Sequence, residues 1–193
     1  GDLGISLARQ MAVVDLIKGK IGATIQLAVG GWIFAILLGI PMGVVAAVKR
    51  GTFWDYLARL MAIVGQAAPP FVTGLLLIWT FTVWVEWFPS GGRSPEFDWK
   101  DYVLPCIALG WGAAAGLMRL TRSSMLEILD SEYIRLARAK GVAWNWVIYK
   151  HALRNALIAP VTSALLIFSG WLNGALVIEI VFSWPGIGYD ALF

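Results

Sequence analysis

The stretch IGATIQLAVGGWIFAILLGIPMGVVAAV, residues 21–48, contains no charged side chain and lies between Lys20 and Lys49. A helix needs about 20 apolar residues to cross the hydrocarbon core of a bilayer. This stretch has 28 uncharged residues, so it is long enough to cross once. It therefore predicts a transmembrane helix.

Three further uncharged stretches, residues 60–85, 102–118 and 155–178, contain 26, 17 and 24 residues. The 193-residue chain is 59% hydrophobic and 14% charged, whereas soluble domains are about 45–50% apolar and about 25% charged. The sequence therefore predicts an all-α polytopic membrane protein. Its predicted spans are residues 21–48, 56–88, 102–128 and 156–178, of which 102–128 includes an extension beyond the membrane on the cytoplasmic side.

The second predicted span, residues 56–88, has an unusual length. At about 1.5 Å per residue it would form ~50 Å of helix, too long for one ~30 Å crossing and too short for two. Pro69 and Pro70 lie inside it and are expected to kink or break the helix. We interpret the stretch as one kinked span.

The distribution of charge predicts the orientation of these spans. With a single crossing at 56–88, the loops around residue 50 and residues 119–154 share one side, which carries ten basic and four acidic residues. Loops enriched in Lys and Arg face the cytoplasm. Residues 129–155 are therefore predicted to form a cytoplasmic loop, with residues 1–20 and 179–193 on the outer side.

The sequence lacks the residues and motifs that several kinds of chemistry require. One cysteine, Cys106, and one histidine, His151, make a metal site improbable. No glycine-rich phosphate-binding loop and no hydrolase motif is present, so we expect no cofactor and no enzymatic activity in this chain. Glu86 and Glu179 fall at the outer ends of two spans, where water is expected to reach them.

Small residues recur four positions apart in the predicted spans, a spacing that lets helix backbones approach closely in lipid. The pairs are Gly39 and Gly43, Gly112 and Gly116, and Gly170 and Gly174.

A short helix over residues 131–140 is predicted in the cytoplasmic loop. Asp130 or Ser131 can cap its start, and Gly141 suits its end. Tyr133, Leu136, Ala137 and Lys140 fall on one face. A helix this short is marginal alone, so it needs a surface, either within the chain or in a partner's groove. Periodicity equally allows a basic helix that lies on anionic lipid.

Four segments together resemble a known family. They are Arg119-Leu-Thr-Arg-Ser-Ser-Met125, Ala137-Arg-Ala-Lys-Gly141, His151-Ala-Leu-Arg-Asn-Ala-Leu157 and Glu179-Ile-Val-Phe-Ser-Trp-Pro-Gly-Ile-Gly188. They are similar to permease subunits of dipeptide, oligopeptide and nickel ABC importers, and Asp2-Leu3-Gly4 resembles the region before the second span of those subunits. The resemblance implies the type I importer transmembrane-domain fold over residues 1–193, as a fragment with about four of six spans.

The resemblance also implies a site and partners. Such permeases dock on an ATPase through a loop in which Ala137, Gly141 and Leu153 match the family pattern, whereas Arg135, Leu136, His151 and Arg154 depart from it. The implied docking residues are Arg135, Leu136, Ala137, Arg138, Ala139, Lys140, Gly141, His151 and Leu153. Leu136 and Ala137 are the predicted contact face on the partner. Neutral residues Gln66, Thr73 and Asn173 are candidates for lining the transport path.

The function implied by the resemblance is ATP-driven import through the inner membrane of a bacterial or archaeal cell. The implied partners are a second permease, two ATP-binding subunits that hydrolyse the nucleotide, an extracytoplasmic solute-binding protein and membrane lipid. Peptides are the expected solutes, with nickel or another small solute as the alternative. A lipid-binding helical channel or scaffold without an ATPase is the alternative from a different class.

Overall fold

A computed structural model describes residues 13–94, 96–172 and 175–190, and all of its regular elements are helical. The helices are α1 (Val13–Val48), α2 (Phe53–Ala67), α3 (Pro70–Ile78), α4 (Trp99–Leu129), α5 (Glu132–Ala139), α6 (Trp144–Trp146), α7 (Leu153–Ala156), α8 (Ile158–Leu172), α9 (Leu176–Val181) and α10 (Ile187–Asp190). Segments Trp79–Trp84 and Val147–Ala152 are π-helical. The all-α class predicted from the sequence is confirmed. Asn173, Gly174 and most of the predicted outer segment 1–20 lie outside the described residues.

Two of the described helices, α1 and α4, are each long and apolar enough to cross a membrane. Two bent helix pairs also qualify when each pair is counted as one span. The first pair joins α2 to Pro70–Trp84, and the second joins Trp144–Ala156 to α8. The described residues therefore offer between two and four candidate spans.

The proline pair separates α2 from α3, as the sequence predicts. The α2 helix ends at Ala67, and Ala68 and Pro69 adopt extended conformations before α3 begins. Pro70 occupies the first position of α3, where its missing N–H would have no helical partner in any case. The backbone break therefore follows from proline chemistry at the position where it occurs.

The observed helices differ from the predicted spans at several ends. The predicted span 56–88 corresponds to helices that begin at Phe53 and end at Trp84. The α1 helix begins at Val13 and already includes Lys18 and Lys20. The stretch 156–178 is divided: α8 ends at Leu172, and Ala175 precedes the separate helix α9.

The chain forms two compact units, and the first contains residues 1–32, 69–110 and 168–193. Its described core centres on Leu27, Leu104, Ile178, Phe182 and Trp184. The α3 helix packs against α9 within this unit. Gly74 lies at this contact, where an added Cβ would be 3.1 Å from the Phe182 and Val181 side chains.

Glu179 is fully buried in this first unit, so the expectation that water reaches it is wrong. Its carboxylate accepts hydrogen bonds from the Thr24 hydroxyl at 2.7 Å and from the Tyr189 backbone N–H at 3.0 Å. The Ile187 N–H in turn donates to Thr24 Oγ1 at 3.0 Å, and Trp184 Nε1 donates to the Ala23 carbonyl at 2.9 Å. The turn after α9 thus folds around the carboxylate and removes it from solvent. Glu86, by contrast, is exposed.

The second unit contains residues 33–68 and 111–167. Gly39 and Gly43 bring the backbone of α1 close to that of α4. An added Cβ at Gly39 would lie 2.6 Å from the Ala114 carbonyl oxygen, and one at Gly43 would lie 2.6 Å from the Met118 carbonyl oxygen. These distances leave no room for a side chain, so the prediction of a close approach is confirmed for this pair.

The other small-residue pairs do not mark such contacts within the described residues. Gly116 and Gly170 have nothing within 4 Å of an added Cβ. Gly112 lies at an ordinary contact distance, 3.4 Å, from the Gly65 carbonyl oxygen. The spacing alone does not reveal which helix face meets a neighbour. Among the pairs whose two members the structure describes, Gly39 and Gly43 mark a close contact, whereas Gly112 and Gly116 do not; Gly174 lies outside the described residues.

An ion pair joins the start of α2 to α4 in the second unit. Asp55 is 1% exposed. Its two carboxylate oxygens accept hydrogen bonds from Arg122 Nε at 2.7 Å and from the Arg122 terminal nitrogen at 3.1 Å. The Gly51 N–H donates to the same carboxylate at 2.9 Å, and Gly51 has a φ of +77°. The Asp55 carboxylate therefore accepts hydrogen bonds both from the turn after α1 and from the arginine on α4.

Replacement of Gly43 by alanine is expected to destabilise the second unit by about 1–3 kcal/mol, because its Cβ would press on backbone atoms of α4 that cannot move independently. Gly116→Ala is the matched control, since its Cβ meets nothing. The measurement is the thermal unfolding midpoint of the purified protein in detergent. The midpoint should fall for Gly43→Ala and stay constant or rise for Gly116→Ala. Equal midpoints would contradict the close approach.

Candidate functional site

The α5 helix is delimited by local backbone chemistry. Ser131 occupies the N-cap position in an extended conformation, and Glu132 places a carboxylate in the first turn. Gly141 follows the helix with a φ of +79°, a conformation that glycine adopts without steric cost. The Gly141 N–H donates to the Arg138 carbonyl at 2.9 Å, and the Val142 N–H donates to the Ala137 carbonyl at 3.2 Å. This pair of bonds is the Schellman ending, so the predicted helix and its glycine end are confirmed.

One buried side chain holds α5 on its own chain. Ile134 is 1% exposed and belongs to a buried cluster in the second unit. The other buried members of this cluster are Ala47, Met125, Val147, Ile148, Ala152 and Ala156. Because Ala47 lies on α1 and Met125 lies on α4, the short helix is attached to both long helices. The short helix α5 therefore packs on a surface of its own chain, which is one of the two kinds of support expected for a helix of this length.

The outward side of α5 carries most of the predicted docking residues. Leu136 is 56% exposed, and Arg135, Arg138, Ala139 and Lys140 are also exposed, as is Gly141. Ala137 is half-buried. Ile134, which sequence reasoning missed, is the inward residue of the helix. Its apolar side chain among charged neighbours was the available signal.

A π-helical segment, Val147–Ala152, packs against α5. The Tyr133 hydroxyl donates to the His151 carbonyl at 3.0 Å, and Asn155 Nδ2 donates to the Tyr133 oxygen at 3.1 Å. Leu153 is half-buried against the Ile134 cluster. The structure thus brings His151 and Leu153 together with α5, and π-helical turns of this kind are frequent at functional sites.

Aromatic side chains cover several of the cations in this region. The Arg138 guanidinium lies 5.2 Å from the Trp144 ring centroid, and the Lys150 ammonium lies 5.1 Å from that of Trp146. Arg135 instead pairs with Glu132 at 2.8 Å on the exposed surface. Leu136 is the most exposed large apolar side chain of α5, at 56%, and Tyr133 of the same helix is 40% exposed.

The predicted path-lining residues fall in different places. Gln66 borders two cavities of the second unit, and its side-chain amide donates to the Ala115 carbonyl at 3.4 Å. Thr73 belongs to the first unit, where its hydroxyl lies 3.5 Å from the carbonyl oxygen of Pro69, the residue before α3. Asn173 lies outside the described residues. Over the described ranges, no three His, Cys, Asp or Glu side chains are grouped to hold a metal ion.

Comparison with known protein families identifies the chain. The family described as "Binding-protein-dependent transport system inner membrane component" matches residues 39–192. The chain belongs to this family. The match includes α5 and the whole segment up to α8, so the candidate site lies in the part of this inner membrane component that the family shares.

Curated relatives are similar along almost the whole chain. The glutathione transport system permease protein GsiC of Escherichia coli K12 is 40% identical over 97% of this chain. A protein of Brucella suis biovar 1, provisionally named a peptide permease, is 42% identical over 97% of the chain. The chain spans about 60% of the length of these relatives.

A solved structure shares the fold. The chain from the structure entitled "Inward facing conformations of the MetNI methionine ABC transporter: CY5 native crystal form" matches with a TM-score of 0.72. The match covers 92% of this inner membrane component and 79% of the other chain, at 21% sequence identity. The expected ABC importer transmembrane-domain fold is therefore confirmed.

Truncation of Ile134 to alanine is expected to release α5 locally, because removal of a buried isoleucine side chain costs about 2–5 kcal/mol. Hydrogen exchange of residues 132–142 should accelerate strongly in the purified protein. Leu136→Ala is the matched control on the same helix, since Leu136 is mostly exposed. Equal exchange in the two variants would show that Ile134 does not anchor the helix.

Proposed function

We propose that this chain is part of a permease subunit of an ATP-driven importer, in which α5 and the segment after it receive a separate ATP-binding subunit. The observation that carries the proposal is the exposure of Leu136 on a helix whose opposite side is anchored by Ile134. Membership of the inner membrane component family supports the same role. ATP hydrolysis belongs to the partner, and this chain supplies the contact and the path.

The anchoring of α5 offers a physical route for coupling. The Ile134 cluster includes Ala47 of α1 and Met125 of α4. A displacement of α5 by the ATP-binding subunit would therefore be transmitted to both long helices through packed side chains. For such coupling, the partner must contact α5 differently in its nucleotide states. Leu136 supplies the apolar part of that contact, and Arg135 supplies a charged part.

The orientation in the membrane follows from the charge distribution. Residues 129–155 face the cytoplasm, where Lys and Arg are enriched in loops. Spans at 21–48, 56–88, 102–128 and 156–178 connect this side to the outer side, in a bacterial or archaeal inner membrane. The partners would be a second permease of similar fold, two ATP-binding subunits and an extracytoplasmic solute-binding protein.

Peptides are the proposed solutes. The names of the two relatives, a glutathione permease and a provisional peptide permease, support this class. Nickel or another small solute carried by the same kind of complex is the alternative. The lipid-binding channel or scaffold remains an outcome of the experiment below, because such a protein would purify without an ATP-binding subunit.

Leu136→Asp is expected to reduce ATP-driven peptide uptake and peptide-stimulated ATPase activity by about tenfold or more, because it places a charge in an apolar contact that the partner buries. The full-length protein is expressed with its partner subunits, and both activities are measured in proteoliposomes. The amount of permease in the membrane should not change, since Leu136 is outside the buried cluster.

Phe97→Asp is the control, because Phe97 is 80% exposed in the segment before α4. This variant should keep both activities. Full activity of Leu136→Asp, or a permease that purifies alone and conducts ions, would contradict the proposed function.

A further inference from the structure

Two neighbouring cavities in the second unit share the same polar side chains. The first has a volume of about 580 Å³ and lies between α2 and α4. The second has a volume of about 560 Å³ and is also bordered by Ser163 of α8. Gln66, Arg119 and Ser123 line both cavities. These volumes fall within the range of about 300–1,000 Å³ that small-molecule sites occupy.

The charge of the first cavity is unbalanced. Arg59, Arg119 and Arg122 line it, and its lining contains no acidic residue. The nearby carboxylate of Asp55 is engaged by Arg122 at 2.7 Å and by Arg59 at 3.5 Å. Three guanidinium groups and one carboxylate leave a net charge of +2. Among the described residues, no carboxylate pairs with Arg119.

The rest of the first cavity combines an apolar wall with hydrogen-bond donors. Ala58, Ala62, Ile63 and Met118 form an apolar lining beside Arg119. Arg119, Gln66 and Ser123 are exposed, so an anion in this cavity can reach all three side chains. Gln66 and Ser123 add an amide and a hydroxyl that can donate hydrogen bonds. The guanidinium has a planar set of donors that matches a carboxylate with two parallel bonds.

We propose that this cavity binds a carboxylate group of the transported solute, with Arg119 as the pairing cation and Ser123 and Gln66 as neighbouring donors. This inference rests on the proposed function, and it names the part of the solute that the path recognises. Arg119 is the twenty-first residue of α4, about 30 Å along the helix axis from Trp99. Under the proposed orientation the carboxylate would therefore be held near the cytoplasmic end of the path.

The test uses the reactivity of a cysteine placed in the cavity, which requires no transport. Ser123→Cys is introduced into the full-length complex in phosphatidylcholine nanodiscs, where the natural Cys106 is buried. Reaction rates are measured with an anionic reagent, sulfonatoethyl methanethiosulfonate, and with its cationic trimethylammonium analogue. Ser90→Cys lies in an exposed segment. It gives the reference ratio of the two reaction rates for a cysteine outside the cavity.

The anionic-to-cationic rate ratio should be about tenfold higher for Ser123→Cys than for Ser90→Cys, because the nearby positive charge concentrates anions. Adding Arg119→Gln should remove most of this preference, whereas Arg119→Lys should keep it. Alanyl-alanine, which has a free carboxylate, should slow the reaction, and alanyl-alanine amide should not. A ratio equal to that of Ser90→Cys, or one that is insensitive to Arg119→Gln, would overturn the proposal.

Two further outcomes would also overturn it. Equal protection by the peptide and by its amide would mean that the carboxylate is not recognised. Protection that arises only when phosphatidylglycerol replaces phosphatidylcholine, and not from alanyl-alanine, would assign the site to a lipid headgroup.

A separate observation would contradict the proposed function. If the unsubstituted complex transports no peptide with ATP, while its Ser123→Cys variant shows the charge preference and the protection by alanyl-alanine, the importer assignment would be contradicted and the carboxylate site would remain.

Discussion

Burial of the Ile134 side chain determines which surface of α5 is exposed. A helix of eight residues is too short to be stable in isolation, so its orientation depends on what it packs against. Ile134 inserts into a cluster that contains residues of α1 and α4. Leu136 and Arg135 consequently point away from the chain. The site is therefore a short helix that the chain holds at one side and presents at the other.

Both compact units pack polar backbone groups and side chains among apolar atoms. They do so by different interactions. In the second unit, Gly39 and Gly43 allow α1 and α4 to meet with backbone atoms in contact, which gains van der Waals packing where the hydrophobic effect is weak. In the first unit, the Glu179 carboxylate is buried but accepts hydrogen bonds from Thr24 and Tyr189. A buried carboxylate with partners avoids the desolvation cost of an unpaired one.

Signals local in sequence predicted the local structure well. The uncharged stretches predicted the long helices, the proline pair predicted the break after α2, and Gly141 predicted the end of α5. Features that depend on distant residues could not be predicted in this way. The inward orientation of Ile134 depends on α1 and α4, the burial of Glu179 depends on Thr24, and the ion pair of Asp55 depends on Arg122, which lies 67 positions away. For each of these features the sequence shows only single residues, with no periodic pattern that would indicate which distant residue they contact.

The most direct test of the account places a photo-crosslinking amino acid at position 136 of the full-length protein in cells that make the complete importer. The account predicts a covalent adduct with the ATP-binding subunit on illumination, and no such adduct from position 97. The absence of an adduct from position 136 in cells that transport actively would contradict the account. Labelling of a cysteine at position 136 by a membrane-impermeant reagent applied outside intact cells would contradict it as well.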